Sequence, residues 1–383
     1  MNKDELFIFH GKEYTEMAYA LMEKCDVKAM IPSKSARIGI KPNLLGQIKA
    51  SEGGTTHPEV VEGVIRYLQD AGYTDLVILE SSWVGDSTEL AFAYCGYTQL
   101  AEKYRVPLWD LQQDETVEID CAGMRLRVCK RACQVDFLIN VPVLKGHCQT
   151  KMTCALKNMK GLIPGSEKRR FHRLGLHAPI AHLSAGVHQD LVIVDCICPD
   201  LTFEDGGDPV SLDCLIAAAD PVLCDAFGAR MIGLEPETVE YIRLAQALGV
   251  GSADTDSSRI RAFEETGEKG SCRYEQAPGN ENMLEKAAAR GGYRKVMRLA
   301  ENVEDVESCS ACYAYLIPAL EMLEKEGLLE KLHEKICIGQ GYRGKSGTLG
   351  IGNCTAGFLH TLAGCPPTEG QMYEFLKEQA EKS

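Results

Sequence analysis

Arg37-Ile38-Gly39-Ile40-Lys41 and Leu76-Val77-Ile78-Leu79 are two short apolar runs, and what lies between them decides the fold. After the first run comes a polar, Gly-bearing loop over 42–56, then Thr56-His57-Pro58-Glu59, a helix start. Thr56 can cap that helix, Pro58 suits its first turn and Glu59 can complete a capping box. Val60, Val61, Val64, Ile65 and Leu68 then recur at helical spacing, and Gly72 ends the pattern. A strand, a loop, a helix and a second strand in some 45 residues form a unit that requires parallel pairing. The alternation continues along the chain. Asp136-Phe137-Leu138-Ile139-Asn140-Val141 and Leu191-Val192-Ile193-Val194-Asp195 read as buried strands. Helices are expected over 88–95, 99–104 and 236–248, and after Asp220-Pro221, where Asp220 caps and Pro221 takes the first position. The reading is an α/β fold, a mostly parallel sheet with helices on both faces, plus a small C-terminal α/β cysteine-rich iron–sulfur domain. The divisions expected are a core domain over 1–250, a polar connector with a helix from about 282 over 251–300, and a C-terminal domain over 301–383. No internal repeat is evident.

The bulk properties exclude several classes. A chain of 383 residues with 45% hydrophobic and 25% charged content is an ordinary globular one. Its formal net charge of −14 repels nucleic acid and anionic lipid. No apolar run reaches membrane-spanning length, and Met1-Asn2-Lys3-Asp4-Glu5 lacks a signal-peptide layout, so a cytoplasmic protein is expected. Seventeen cysteines is an odd number and a high one. It argues for reduced thiols and a metal cofactor rather than a disulfide framework, and for a host with little oxygen exposure, an anaerobe.

Four cysteines gather near the end: Cys309-Ser310-Ala311-Cys312, Cys354, and Cys365 within Gly364-Cys365-Pro366-Pro367. Thiolates are soft ligands, and four of them match the corners of a 4Fe–4S cluster. A C-x2-C pair can place two sulfurs on one centre, and Pro366 stiffens the loop behind Cys365. Structural zinc and unliganded thiols are the competing readings. Cys337 is a substitute for one of the four. The flanking pattern is a helix over 314–327, a strand at Ile336-Cys337-Ile338, a Gly-rich loop or hairpin over 339–352 and a closing helix over 368–380.

A second concentration is cationic. Residues 145–173 hold Lys145, Lys151, Lys157, Lys160, Lys168, Arg169, Arg170 and Arg173 against Glu167 alone. The island follows a buried strand, and loops at the carboxyl ends of parallel strands are where α/β proteins bind ligands. A small carboxylate or phosphate is the natural partner. Lys41 and Asn43, Thr55 and Thr56, and Lys157, Asn158 and Lys160 are the expected substrate-binding residues. His147 and Lys145 are the acid–base candidates, since histidine titrates near neutrality and a crowded lysine loses its proton more readily. His57, at a helix start, reads as structural. Asp195, at a strand end, reads as a metal ligand, a base-orienting group or a turn cap. No Ser-His-Asp order, G-x-S-x-G elbow or H-E-x-x-H is present.

Four strings carry a resemblance: Lys41-Pro42-Asn43, Thr56-His57-Pro58-Glu59-Val60-Val61, Ala155-Leu156-Lys157-Asn158-Met159-Lys160-Gly161 and Ala219-Asp220-Pro221-Val222. The chain resembles the family known as domain of unknown function 362 over roughly residues 35–370. The resemblance implies an iron–sulfur protein, since members are commonly so labelled, but supplies no reaction. The ferredoxin module of some members is absent here. A more distant likeness is to the lactate racemase class.

The expected function is that of a 4Fe–4S oxidoreductase acting on a small anionic substrate, with a redox partner protein, no nucleic acid or membrane partner, and a homodimer compatible with the reading. The alternatives are a cluster-dependent lyase or isomerase with an open iron, a non-catalytic electron carrier, and a sensor or binding module stapled by the metal.

Overall fold

The computed structural model describes residues 1–147, 149–201, 203–207, 209–264 and 298–382. They form two units. The first is built on an eight-stranded sheet. Its order is Arg259–Glu264, Glu5–His10, Cys214–Ala218, Leu191–Cys196, Phe137–Val141, Ile38–Pro42, Leu76–Glu80 and Leu108–Asp110. Every strand runs in one direction except Cys214–Ala218, which is antiparallel to both its neighbours. The fold is therefore α/β with a mostly parallel sheet, as the alternating pattern predicts.

Both sheet faces are covered, and strand alternation shows it. Phe7, Ile38, Ile40, Ile78, Ile139 and Ile193 pack into one core with the helices Tyr14–Lys24 and Pro58–Asp70. Their in-between neighbours Leu6, Ile8, Leu79, Leu138, Val192 and Val194 are buried as well. Strands buried on both sides read as continuous apolar runs, which is why periodicity of two is missing from their sequence. In the helix Pro58–Asp70, Val60, Val61, Val64, Ile65 and Leu68 are all fully buried. Each such side chain contributes about 1.5–3 kcal/mol by leaving water.

Several local expectations change. Thr56 does not cap that helix. The N-cap is His57, without a side-chain cap, because the Thr56 hydroxyl is held by the sheet instead. Asp220 does cap the helix Pro221–Met231, accepting from Val222 and Leu223 N–H groups. The expected 236–248 helix is a 3₁₀ turn, Pro236–Thr238, followed by the helix Glu240–Ala247. The strand Arg259–Glu264 lies within the stretch read as a connector, yet it pairs in parallel with Glu5–His10 at the sheet edge. The helix expected from residue 282 falls, as far as residue 297, outside the described residues. The hairpin of Thr116–Cys121 and Met124–Cys129 has no counterpart in the sequence reading. It turns through Ala122 and Gly123, both at positive φ, as the twist of a tight hairpin requires.

The second unit holds a four-stranded, all-parallel sheet in the order Val303–Asp305, Ile336–Ile338, Leu349–Ile351 and His360–Leu362. Its core joins Ile336, Ile338, Leu349 and Ile351 to Leu316, Leu320 and Leu323 of the helix Ser310–Lys325 and to Met372 and Leu376 of the helix Glu369–Lys382. The stretch read as a loop or hairpin over 339–352 is a loop with a 3₁₀ turn that leads into the strand Leu349–Ile351, not a hairpin, since the strands before and after the loop are parallel. It climbs one step of a short repeat. Ile338-Gly339-Gln340-Gly341-Tyr342-Arg343-Gly344 matches Ile351-Gly352-Asn353-Cys354-Thr355-Ala356-Gly357 thirteen residues on, and both continue into a 3₁₀ turn. At two steps the repeat is too brief to stand out in the sequence.

Candidate functional site

In the first unit the chain steps outward from Ile38–Pro42 to Leu76–Glu80 and Leu108–Asp110, then returns to the other side with Phe137–Val141 and Leu191–Cys196. The reversal lies between Ile38–Pro42 and Phe137–Val141. The carboxyl edge beside such a reversal is where open α/β sheets bind ligands. Lys41, Asn43, Thr55, Thr56 and Asn158 lie around that edge, but most are bound into the framework. The Asn43 backbone N–H donates to Thr56 Oγ1 at 2.7 Å, and that hydroxyl donates to the Val141 carbonyl at 2.7 Å. Asn158 Nδ2 donates to Asn140 Oδ1 at 2.7 Å. Lys41 is fully buried and its Nζ lies 2.8 Å from Glu80 Oε2. Burial pushes Lys41 below the usual lysine range while Glu80 opposes the shift. Lys41 is thus committed to an internal ion pair rather than held open for an anion. Thr55 Oγ1 differs from these: it is buried and has no hydrogen-bond partner.

The cationic island is not one loop. It spans the short strands Lys145–His147 and Lys151–Thr153, the helical turns Ala155–Asn158 and Met159–Leu162, and the helix Gly165–Leu174. Lys145 is buried, donating to the Gly54 carbonyl at 2.7 Å. Lys168 is also buried, against the Ser81 and Ser82 carbonyls. Burial lowers its pKa to about 8. Lys157 and Lys160 are half-buried, and Lys157 Nζ reaches Thr153 Oγ1 at 3.1 Å. Both cations lie close enough to His172 to hold its ring neutral, adding to the larger effect of its burial. His147 belongs to the second unit. Its Nδ1 accepts from the backbone N–H groups of Gln149 and Thr150, and its Nε2 lies 3.8 Å from Glu204 Oε1.

His57 and Asp195, read from sequence as structural or ambiguous, form a pair. His57 Nδ1 is 2.8 Å from Asp195 Oδ2, which also accepts the His57 backbone N–H at 2.7 Å. Cys198, two residues past the strand Leu191–Cys196, brings its Sγ to 3.5 Å from His57 Nε2. Nothing local announces this contact, because 141 positions separate Cys198 from His57.

In the second unit, the four C-terminal cysteines follow the carboxyl ends of three parallel strands. Cys309 and Cys312 come after Val303–Asp305, Cys354 after Leu349–Ile351 and Cys365 after His360–Leu362. Their thiols are mutual neighbours. Cys312 is pushed up to about 12, first by burial and then by Cys309, Cys365 and Cys354. Cys309 is raised by burial and then by Cys354 and Cys365. Gln340 Nε2 donates to Cys309 Sγ at 3.5 Å, and Arg343 stands beside Cys354 as a hydrogen-bonding cation. At Gly352, with φ at +94°, an added Cβ would lie 3.7 Å from Cys312 Sγ. Cys337 is not in this set. Its neighbours are Tyr342, Glu304 and Glu334. Among the described residues no group of three or more His, Cys, Asp or Glu side chains is arranged to hold a single metal ion. As a donor set the four thiols fit an iron–sulfur cluster: they are soft, they would bind as anions, and a positive metal centre would relieve their repulsion.

The family described as Domain of unknown function (DUF362) matches residues 38–230. The chain belongs to this family. The matched region of the DUF362 chain covers the carboxyl edge from Lys41 to Cys198 and stops short of the C-terminal cysteines. A thylakoid-associated protein of Synechocystis is 28% identical over 232 residues, covering 56% of this chain and 68% of that protein. The lactate racemase apoprotein from Thermoanaerobacterium thermosaccharolyticum is 11% identical with a TM-score of 0.41, covering 59% of this chain. The alignment spans 57% of that racemase's length. No helix among the described residues is long and apolar enough to cross a membrane.

Proposed function

We propose that this DUF362 protein is a 4Fe–4S oxidoreductase, with Cys309, Cys312, Cys354 and Cys365 as the cluster ligands and a small anion as substrate. The observation that carries the reading is the placement of the four cysteines after the carboxyl ends of three parallel strands, with Cys354 and Cys365 near enough to act on Cys309 and Cys312, and Arg343 and Gln340 alongside. A bound cluster supplies one-electron transfer. The chain's own contribution is electrostatic: the Arg343 cation and the Gln340 amide face the sulfurs and favour their anionic form. Four thiol donors leave no iron open, which favours electron transfer over the lyase or isomerase alternative. Lys157 and Lys160, near a His172 kept neutral chiefly by its burial, are the cations best suited to a carboxylate or phosphate.

Anaerobic purification followed by iron and sulfide analysis, absorbance near 400 nm and EPR of the reduced protein tests the assignment. Cys309→Ala and Cys365→Ala are expected to lose iron, whereas Cys196→Ala and Cys337→Ala keep it. Equal iron in all four variants would refute the ligand set, and zinc in place of iron would refute the redox role.

A further inference from the structure

We propose that Cys198, His57 and Asp195 form a second chemical site, in which the Cys198 sulfur acts as a nucleophile toward an activated acyl group such as a thioester. The three residues meet at the carboxyl edge of the main sheet, within the first unit. Asp195 is nearly fully buried and both its oxygens are fixed. Oδ2 accepts from the His57 backbone at 2.7 Å and faces Nδ1 at 2.8 Å, and Oδ1 accepts from the Ile197 backbone at 3.0 Å. Tyr14 packs edge-on against the His57 ring, with centroids 5.6 Å apart. The imidazole is therefore held from two sides, and its remaining nitrogen, Nε2, points at Cys198 Sγ 3.5 Å away. Cys198 is half-buried, while Cys196 two residues earlier is fully buried. The sulfur also lies 3.5 Å from the Ala50 carbonyl, and the Tyr14 hydroxyl is close enough to feel its charge.

The order is that of a nucleophile, a base and an orienting carboxylate. Burial disfavours a charged His57, but Asp195 outweighs it and raises the ring to about 10. A protonated ring can donate Nε2–H to the Cys198 sulfur while Asp195 holds Nδ1. The reaction balances without any oxidant. The thiolate lone pair forms an S–C bond to the acyl carbon while the carbonyl π pair moves onto oxygen. Collapse of that adduct breaks the bond to the leaving group, which takes the proton from His57 Nε2. Asp195 touches neither reactant and serves as a positioning residue.

The test is alkylation of the intact chain by limiting iodoacetamide at neutral pH, read peptide by peptide by mass spectrometry. Exposed Cys133 serves as an internal reference in the same digest. In the wild-type protein Cys198 should be alkylated about ten-fold faster than Cys133 or more, the scale of a modest base contribution. His57→Gln should abolish that advantage and Asp195→Asn should reduce it. Cys198 reacting no faster than Cys133 in the wild type, or equally fast in all three proteins, would overturn the proposal. The wild-type comparison decides alone if a variant fails to fold. Incubation with p-nitrophenyl acetate then tests the substrate class. Acetyl on the Cys198 peptide supports it, and acetyl on lysines alone overturns it.

Discussion

Gly161 shows what one missing methyl permits. A Cβ there would overlap Glu80 Oε1 and the end of the Lys41 side chain, so the buried ion pair occupies the space that glycine leaves. The same residue's carbonyl accepts the Ser81 N–H at 2.9 Å. This gives a physical reason for a glycine downstream of Ala155-Leu156-Lys157-Asn158, whose Asn158 bonds Asn140 beside the same strands. Lys41→Met should cost about 3–5 kcal/mol, because it strands the Glu80 charge in the interior. The double change Lys41→Met with Glu80→Leu should cost less than the single one. Urea unfolding midpoints check both, and a single variant as stable as wild type would show that Lys41 is not paired in solution. The sequence made Lys41 look like an anion binder. Its partner lies 39 positions away, and nothing local announces which buried lysine will meet a carboxylate.

Among the elements, the longest were the most legible. The helix Pro58–Asp70 and the strands around it follow from hydrophobic spacing, because each buries a long enough face to leave a pattern. The three-residue strands of the second unit leave almost none. What holds them is backbone geometry at glycine. Gly339 sits at φ +118°, and a Cβ there would run into the Val306 carbonyl and the Ser308 nitrogen, both backbone atoms unable to swing aside. Gly339→Ala should therefore destabilise the turn that carries Gln340 to Cys309, by about 1–3 kcal/mol for the forced backbone alone. Iron retention in this variant, measured beside that of Gly72→Ala, checks the point. Gly72 is also at positive φ but has open space around it. Equal retention would show that the close approach at Gly339 is tolerated. The gathering of Cys309, Cys312, Cys354 and Cys365 near the end of the chain is plain in the sequence. The exclusion of Cys337 is not, since only the fold turns its sulfur toward Glu304 and Tyr342.

For the molecule as a whole, two separate cores set the expected response to removing the proposed cluster. One centres on the eight-stranded sheet and the other on the helices Ser310–Lys325 and Glu369–Lys382 with the short parallel strands. If the proposed cluster is bound, chelating its iron should raise hydrogen exchange at Gly352, Cys354 and Gly364 and through the strands before them, while the amides of Ile38, Gly39, Ile40 and Lys41 and of Phe137–Val141 keep their protection. Uniform loss of protection across both cores would contradict independent units. The α/β class and the strand alternation were readable at this scale, because burying both sheet faces forces a continuous apolar signature. The partners of Lys145 and His147 were not readable: Lys145 donates to the Gly54 carbonyl, 91 positions away, and His147 accepts from the backbone of Gln149 and Thr150.

Cys309 stands at the N-cap of the sixteen-residue helix Ser310–Lys325, and Cys312 lies in its first turn. The aligned peptide dipoles of such a helix place a partial positive charge at that end. Any electron gained among those sulfurs would fall within this standing field, which makes acceptance easier and release harder. Unwinding the first turn of the helix, without altering a thiol, would weaken that bias in the proposed cluster.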